Sequence, residues 1–366
     1  MNRICQRYSL LLAVALSFSA GCAMAQSAAV GAPLDTPAMR VAPTQKKVLI
    51  DLARAGARIV AVGERGIVML SDDDGKSWRQ AEVPVSVTLS AVQFVDDHRG
   101  WAVGHAGVVL ATTDAGEHWT VQLDGNRAAQ IELAAARDEQ AAADAAAAEA
   151  RVASAERLVA DGADKPFLAL NFVDARRGLV VGAFGLALQT VDGGATWTSA
   201  MGHIDNPMNL HLYAISQQGP RWFVAGEQGF LARSDDDAAS FVQVQSPYEG
   251  SLFVARSRAD GALLVAGLKG NAFISHDGGD TFQPLEVRLP ISFSDAAVLA
   301  SGQVLFVNQG GGLFLSDEHS GDTLRVLSKP LSLPVAGLIQ ASDGSLVVAG
   351  FSGLTRVPLP ASVVSE

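Results

Sequence analysis

The chain has 366 residues, 49% apolar and 18% charged, with 36 glycines and a net charge of −11. A sizeable core is within reach, and a chain so rich in glycine must turn often. The acidic balance argues against nucleic acid and anionic lipid as partners, because both would be repelled.

In chain order, the first predicted element is a targeting segment. Arg3 and Arg7 form a basic start, residues 10–18 are an apolar run, and Ala23-Met24-Ala25 fits a small-x-small cleavage site before Gln26. The run is too short to span a membrane as a helix. A second reading is a lipobox at Ser19-Ala20-Gly21-Cys22, with Cys22 lipidated, although Ser19 stands where Leu is usual. The sequence favours the soluble, exported form, in the periplasm. Cleavage after Ala25 would remove both cysteines, Cys5 and Cys22, and with them any disulfide or thiol chemistry. It would leave 25 basic against 38 acidic residues, a net charge of −13. Residues 26–46 follow as an N-terminal segment, and 47–366 as one repeat domain.

That domain is organised by two repeated elements. The first is G-x-x-G after a short apolar run, beginning at Gly63, Gly104, Gly182, Gly226, Gly267 and Gly350, with Asn308 heading a seventh copy. The spacings are 41, 78, 44, 41, 41 and 42 residues. The second element is [Ser/Thr]-x-Asp-x-Gly-x-x-aromatic. Its full copies are Ser71, Asp73, Gly75, Trp78; Thr112, Asp114, Gly116, Trp119; Thr190, Asp192, Gly194, Trp197; and Ser275, Asp277, Gly279, Phe282. A fifth copy, Ser234 to Phe241, has Ala238 in place of Gly; a sixth is degenerate around Ser316 to Leu324.

A unit of about 41 residues fits one four-stranded propeller blade. The expected fold is therefore all-β: a seven-bladed β-propeller. In blade two, strand a is predicted over 89–95, b over 101–103, c over 108–112 and d over 118–123. Ring closure leaves no sheet edge but needs a partner for the last unit. Residues 38–44 or Leu359 to Val364 could supply it.

The long interval contains an insertion. From Asn126 to Asp164 there are 17 alanines among Glu, Asp and Arg, with no Gly before Gly162. This is helix-forming composition. One straight helix over 128–160 would run about 50 Å and could not return to the next blade. An α-helical hairpin, inserted between blades two and three and turning between Asp138 and Asp144, is expected. Lying between strand d and strand a, it should rise from the face that carries the b–c turns. Candidate partner-binding residues are Arg65, His105 and Lys269 on those turns, and Ile131, Leu133 and Val152 on the hairpin.

The second element resembles the Asp-box of bacterial-neuraminidase-type repeats. Hydroxyl and carboxylate can tie amides inside the c–d turn, while the aromatic packs between blades. One copy per blade reads as a turn staple rather than a metal or sugar site. Asp72-Asp73-Asp74-Gly75 lacks the closing Glu of a calcium loop. The combined pattern of blade two, Leu89-x-x-Val92-x-Phe94, Gly100-Trp101-x-Val103-Gly104-x-x-Gly107, then Thr112 to Trp119, resembles the repeat of the photosystem II stability/assembly factor family. The resemblance covers residues 45 to 357. It implies a seven-bladed, exported, non-enzymatic monomer that binds an integral membrane protein or membrane complex. Photosystem II is one such complex; a resistance-nodulation-division transporter, for which the chain would be an accessory, is another. The family's arginine-rich partner site has no counterpart in so acidic a chain, and the hairpin is extra.

Two other function classes were weighed. A sialidase-like glycosidase needs a tyrosine nucleophile and an arginine triad. Only Tyr213 and Tyr248 remain after cleavage, and Tyr213 is read as the core equivalent of Val92. No Arg-Ile-Pro signature, phosphate loop or nucleophile elbow is present, and the seven histidines are scattered. No catalytic residue, cofactor or metal is therefore assigned. A surface lipoprotein or adhesin would follow from the Cys22 reading.

Overall fold

The computed structural model describes residues 32–42, 46–142, 146–286, 290–316, 323–327 and 330–359. The targeting segment with Cys5 and Cys22 lies outside them. Six four-stranded antiparallel sheets, each in the order a-b-c-d, and one three-stranded sheet in the order a-b-c follow one another along the chain. This is the seven-bladed propeller that the repeats imply. In blade two the strands are Leu89–Phe94, Gly100–Gly104, Val109–Thr112 and Thr120–Leu123. All five residues of strand b are buried, because neighbouring blades cover both of its faces.

The a strands of successive blades touch one another, which places them around the axis. Their register slips by one residue in six blades, for example between Leu89 and Ala91 and between Leu212 and Ala214. Such a bulge leaves one residue per strand out of the ladder. The sequence reading of Tyr213 fails once the two strands are aligned on this shared bulge. Ile215, opposite Val224, is the counterpart of Val92 opposite Ala102, and Tyr213 is the bulge residue.

The acidic boxes are turn staples. Thr112 Oγ1 donates to Asp114 Oδ1 at 2.9 Å and accepts the amide of Gly116 at 3.0 Å, while Asp114 Oδ1 accepts the amide of His118 at 3.0 Å. Ser71 with Asp73, Thr190 with Asp192 and Ser275 with Asp277 repeat this arrangement around Gly75, Gly194 and Gly279. One member escaped the sequence pattern: Ser77, Thr196 and Thr281 donate a hydroxyl to the second carboxylate oxygen. His118 takes that place in blade two, 2.7 Å from Asp114, whose hydrogen bond and charge raise the imidazole pKa.

Each box is also tied to the blade before it. Arg58 donates to the Ala115 carbonyl, Gln122 to that of Gly193, Arg233 to that of Gly278 and Arg356 to that of Asp74. The box aromatics fill the same joints. Trp119, 4% exposed, packs among Val60 and Leu70 of blade one, Trp78 lies between blades seven and one, Trp197 between two and three, and Phe282 between four and five.

Closure differs from expectation. Residues 38–42 do not complete blade seven. Ala38 donates its amide to the Val83 carbonyl and Arg40 pairs with Glu82, so this segment runs along the outer rim of blade one. Its amides and its cation find partners there, and Ala38 packs on the core between blades one and two. Among the described residues, blade seven has three strands, Gly337–Gln340, Leu346–Gly350 and Gly353–Val357. The alternative partner lies largely outside the described residues. Blades seven and one are joined by a shared apolar cluster that includes Leu49, Ile59, Val347 and Trp78. Asp74 joins them too, accepting the Ser342 amide and hydroxyl, each at 2.8 Å, and Arg54 at 2.9 Å.

The insertion is the expected hairpin, α1 over Gly125–Ala142 and α2 over Ala146–Asp161. α1 runs past Asp138; residues 143–145, where the rest of the expected turn falls, lie outside the described residues.

Candidate functional site

The face carrying the b–c turns is built by steric necessity. The first Gly of each turn has ordinary extended backbone, but a Cβ on Gly104 would lie 2.1 Å from the Thr88 carbonyl oxygen. In these copies only Gly lets the strands approach so closely, whereas Asn308 takes the position in blade six. The following turn forces one non-glycine residue into the left-handed region: Arg65, Ala106, Phe184, Gln228 and Lys269, with φ between 51° and 57°. Four of these present long or aromatic side chains at the turn tips.

Arg65, His105 and Lys269 are all exposed there. Arg65 and His105 belong to adjacent blades, whereas Lys269 lies on blade five across the ring. The turns therefore offer separated donors and cations, not one patch. The hairpin rises beside them, since a Cβ on Gly107 would lie 2.5 Å from the Gly125 Cα at the foot of α1.

The hairpin residues expected to contact a partner serve another purpose. Leu133 is buried, and Val152 packs with it, Ala136 and Ala155 in the seam between the helices. Ile131 packs against the core between blades two and three. An apolar side chain on an Ala-rich helix is the one that seals it, so few remain for a partner. Two polar residues that the sequence reading passed over fix the hairpin in place. Glu132, 2% exposed, receives both arms of Arg151 at 2.9 and 3.0 Å and also the hydroxyl of Ser199 on the outer strand of blade three. Arg151 also meets Glu139. A buried ion pair of this geometry would be costly to break. The hairpin is a wall docked on the propeller, not a free arm.

Between α2 and blades three and four lies a cleft of about 1110 Å³. Arg157, Leu158, Phe184, Ile204, Asp205 and Met208 are among its lining residues. Phe184 is 52% exposed and Met208 71% exposed. The His211 ring lies 4.8 Å from that of Phe184, the Lys165 ammonium sits 5.1 Å above it, and Lys165 is itself paired with Asp161 and Asp164.

Nearer the axis, Tyr213 is half-buried against Phe253, with ring centroids 5.3 Å apart. Burial, helped by the charge of Glu227, raises its hydroxyl pKa, which disfavours a phenolate nucleophile. On the a strands, Asp51 bonds the amides of Leu52 and Val92, while Asp295 bonds those of Ala296 and Leu338 and pairs with Arg256. Burial and the nearby Asp295 push the Asp51 carboxyl up to about 7. Among the described residues no group of three or more His, Cys, Asp or Glu is placed to hold a metal ion, and no helix is long and apolar enough to cross a membrane.

Comparison with known proteins places this architecture. The model of the photosynthesis system II assembly factor YCF48 family matches residues 71–140 and 148–250. The photosystem II assembly lipoprotein Ycf48 of a Synechococcus strain is 24% identical over 49% of this chain and 54% of its own length. The chloroplastic photosystem II stability/assembly factor HCF136 of Arabidopsis thaliana is 21% identical over 84% of this chain and 64% of its own. The chain thus spans between about half and two thirds of these relatives. Among solved structures, YCF48 bound to a D1 peptide is similar in fold, with a TM-score of 0.61 and 16% identity over 88% of this chain and 99% of that one.

Proposed function

We propose that this chain, a propeller similar to photosystem II assembly factors, is an exported, non-enzymatic scaffold holding a segment of a membrane-complex subunit. The segment binds on the face of the b–c turns. One observation carries this reading: that face presents Arg65, His105, Phe184 and Lys269 at rigid turn tips, while the box face is occupied by bonds between blades. A bound peptide in a solved relative of the same fold supports a peptide-binding role. The partner is an integral membrane protein, either of photosystem II or of a transporter of the resistance-nodulation-division type.

The test is co-purification from mildly solubilised membranes. Tagged protein is compared intact, with residues 127–163 deleted, and as the Arg65→Glu/Lys269→Glu double variant. The ends of the hairpin meet, since a Cβ on Gly125 would lie 2.8 Å from the Ala163 Cα, so the deletion leaves a short joint. The same integral membrane subunit should accompany the intact protein and be lost from the double variant. If no membrane protein accompanies the intact form, the scaffold reading fails.

A further inference from the structure

We infer that the cleft between α2 and blades three and four is a docking site for an extended peptide segment that carries a large apolar side chain between an acidic and a basic residue. This inference rests on the scaffold reading and adds to it the place and the chemistry of the partner. Three observations carry it.

The first is Phe184. A bulky residue in the left-handed region is rare, because its side chain crowds the backbone. In blades one, two, four and five the same position holds Arg, Ala, Gln or Lys. Here an aromatic ring is held in that conformation, half-exposed, at the mouth of a cleft. His211 and Lys165 fix the ring from two sides, and the Phe184 amide donates to His211 Nδ1 at 3.0 Å. An exposed ring held this firmly is suited to receive another apolar group.

The second is the opposite wall. The chain between blades three and four is longer than in a 41-residue unit, and the extra length displays Met208, 71% exposed, beside the cleft. A thioether is adaptable in shape and packs well against varied apolar side chains. With Leu158 and Ile204, it gives the cleft apolar walls on both sides.

The third is charge. Most ionic groups lining the cleft already have partners. Arg151 is held by Glu132 and Glu139, Lys165 by Asp161, and Glu227 accepts the His211 amide. Arg157 on the helix wall and Asp205 on the blade wall have no side-chain partner among the described residues. Two unmatched charges of opposite sign on facing walls select a segment with an acid on one side of its anchor and a base on the other.

The experiment is selection from a displayed library of random peptides on the full-length protein and on three variants. Phe184→Asn removes the ring but keeps a residue that tolerates the turn conformation, so its melting temperature should not fall. Arg157→Glu reverses the charge on the helix wall, and Lys269→Glu alters the same face outside the cleft. Peptides enriched on the natural protein should pair a large apolar residue with a nearby acid. Their affinity should fall at least tenfold on Phe184→Asn, the scale expected for one buried anchor, and about threefold to tenfold on Arg157→Glu. Selection on Arg157→Glu should replace the acid with Lys or Arg. Peptides that bind both cleft variants unchanged but lose binding to Lys269→Glu would overturn the cleft assignment and leave the scaffold reading standing. Peptides whose charge preference does not switch on Arg157→Glu would overturn the proposed chemistry. Enrichment on none of the proteins, while a membrane subunit still co-purifies with the intact chain, would overturn peptide capture by the cleft alone.

Discussion

The joint between the first and last blades gives the sharpest test of how this ring is held. Six joints are bridged by the chain itself, whereas blade seven meets blade one without covalent continuity. Asp74 accepts two hydrogen bonds from Ser342 across that joint and a third from Arg54 of its own blade, and its side chain is only 17% exposed. Asp74→Asn keeps one acceptor oxygen, removes the charge, and leaves Arg54 without its carboxylate. Hydrogen bonds to a charged group contribute about 1.5–3 kcal/mol each. After allowing for partial exposure, the expected loss is about 2–3 kcal/mol in equilibrium urea unfolding at neutral pH. Burial opposes ionisation of Asp74, but the bonds from Ser342 and Arg54 outweigh it, so its pKa lies below the ordinary 3.8. The unfolded chain then binds the proton more readily. The stabilisation is present above pH 3.8 and fades as pH falls through the folded-state value. The difference between Asp74→Asn and the natural protein should shrink in acid accordingly. Asp237→Asn, which loses Arg177 at the chain-connected joint of blades three and four and is more exposed, should cost less. Equal losses at the two joints, or a difference that persists in acid, would refute the closing role of Asp74.

Other perturbations read the remaining joints. Trp119→Ala empties the joint between blades one and two and should destabilise by about 3–5 kcal/mol in thermal or urea unfolding; an unchanged melt would deny the packing role. Glu132→Gln leaves Arg151 with Glu139 as its only carboxylate partner among the described residues and should cost about 2 kcal/mol, with amide exchange speeding up first in α1 and α2. Asp51 carries its folded-state pKa above 3.8, at about 7. The native chain therefore holds a proton that the unfolded chain releases. Stability should be greatest below pH 3.8 on this account and should decline as pH rises towards 7. Asp51→Asn should flatten that decline, by on the order of 4 kcal/mol over the window; an identical pH profile would contradict it.

How much of this was legible in the sequence depends on the range of the contacts. The boxes could be read because Ser71, Asp73 and Gly75 bond to one another within one turn. The blade count could be read because close approach at Gly104 and its equivalents selects Gly in six of the seven copies, with Asn308 in the other. Tyr213 was misplaced by two residues: blade four carries the same bulge as blade two, and in that register Tyr213 matches Ser90 while Ile215 matches Val92. The docking of the hairpin was invisible because Glu132 meets Arg151 and Ser199 only through the tertiary fold. Helix composition announces the helix and says nothing of the wall it forms. The one available hint was an ionic pair embedded in an alanine-rich stretch that has few other ways to bind the propeller. Phe184 stood in plain view, yet its meaning depends on the sign of its φ.

The two faces of the ring should therefore answer mutation differently. On the box face, side chains such as Arg58 and Arg233 bond across blade joints, so removing them acts on stability. On the turn face, Arg65 and Lys269 are exposed, and among the described residues neither side chain has a partner. Arg65→Glu or Lys269→Glu should leave the melting temperature unchanged, since exposed substitutions away from packed features are nearly neutral. Arg58→Ala and Arg233→Ala should lower it. Binding of a partner should follow the opposite order. A turn-face charge reversal that destabilised the fold as much as Arg58→Ala would mean that both faces are structural, and the division of labour on which the docking face rests would be lost.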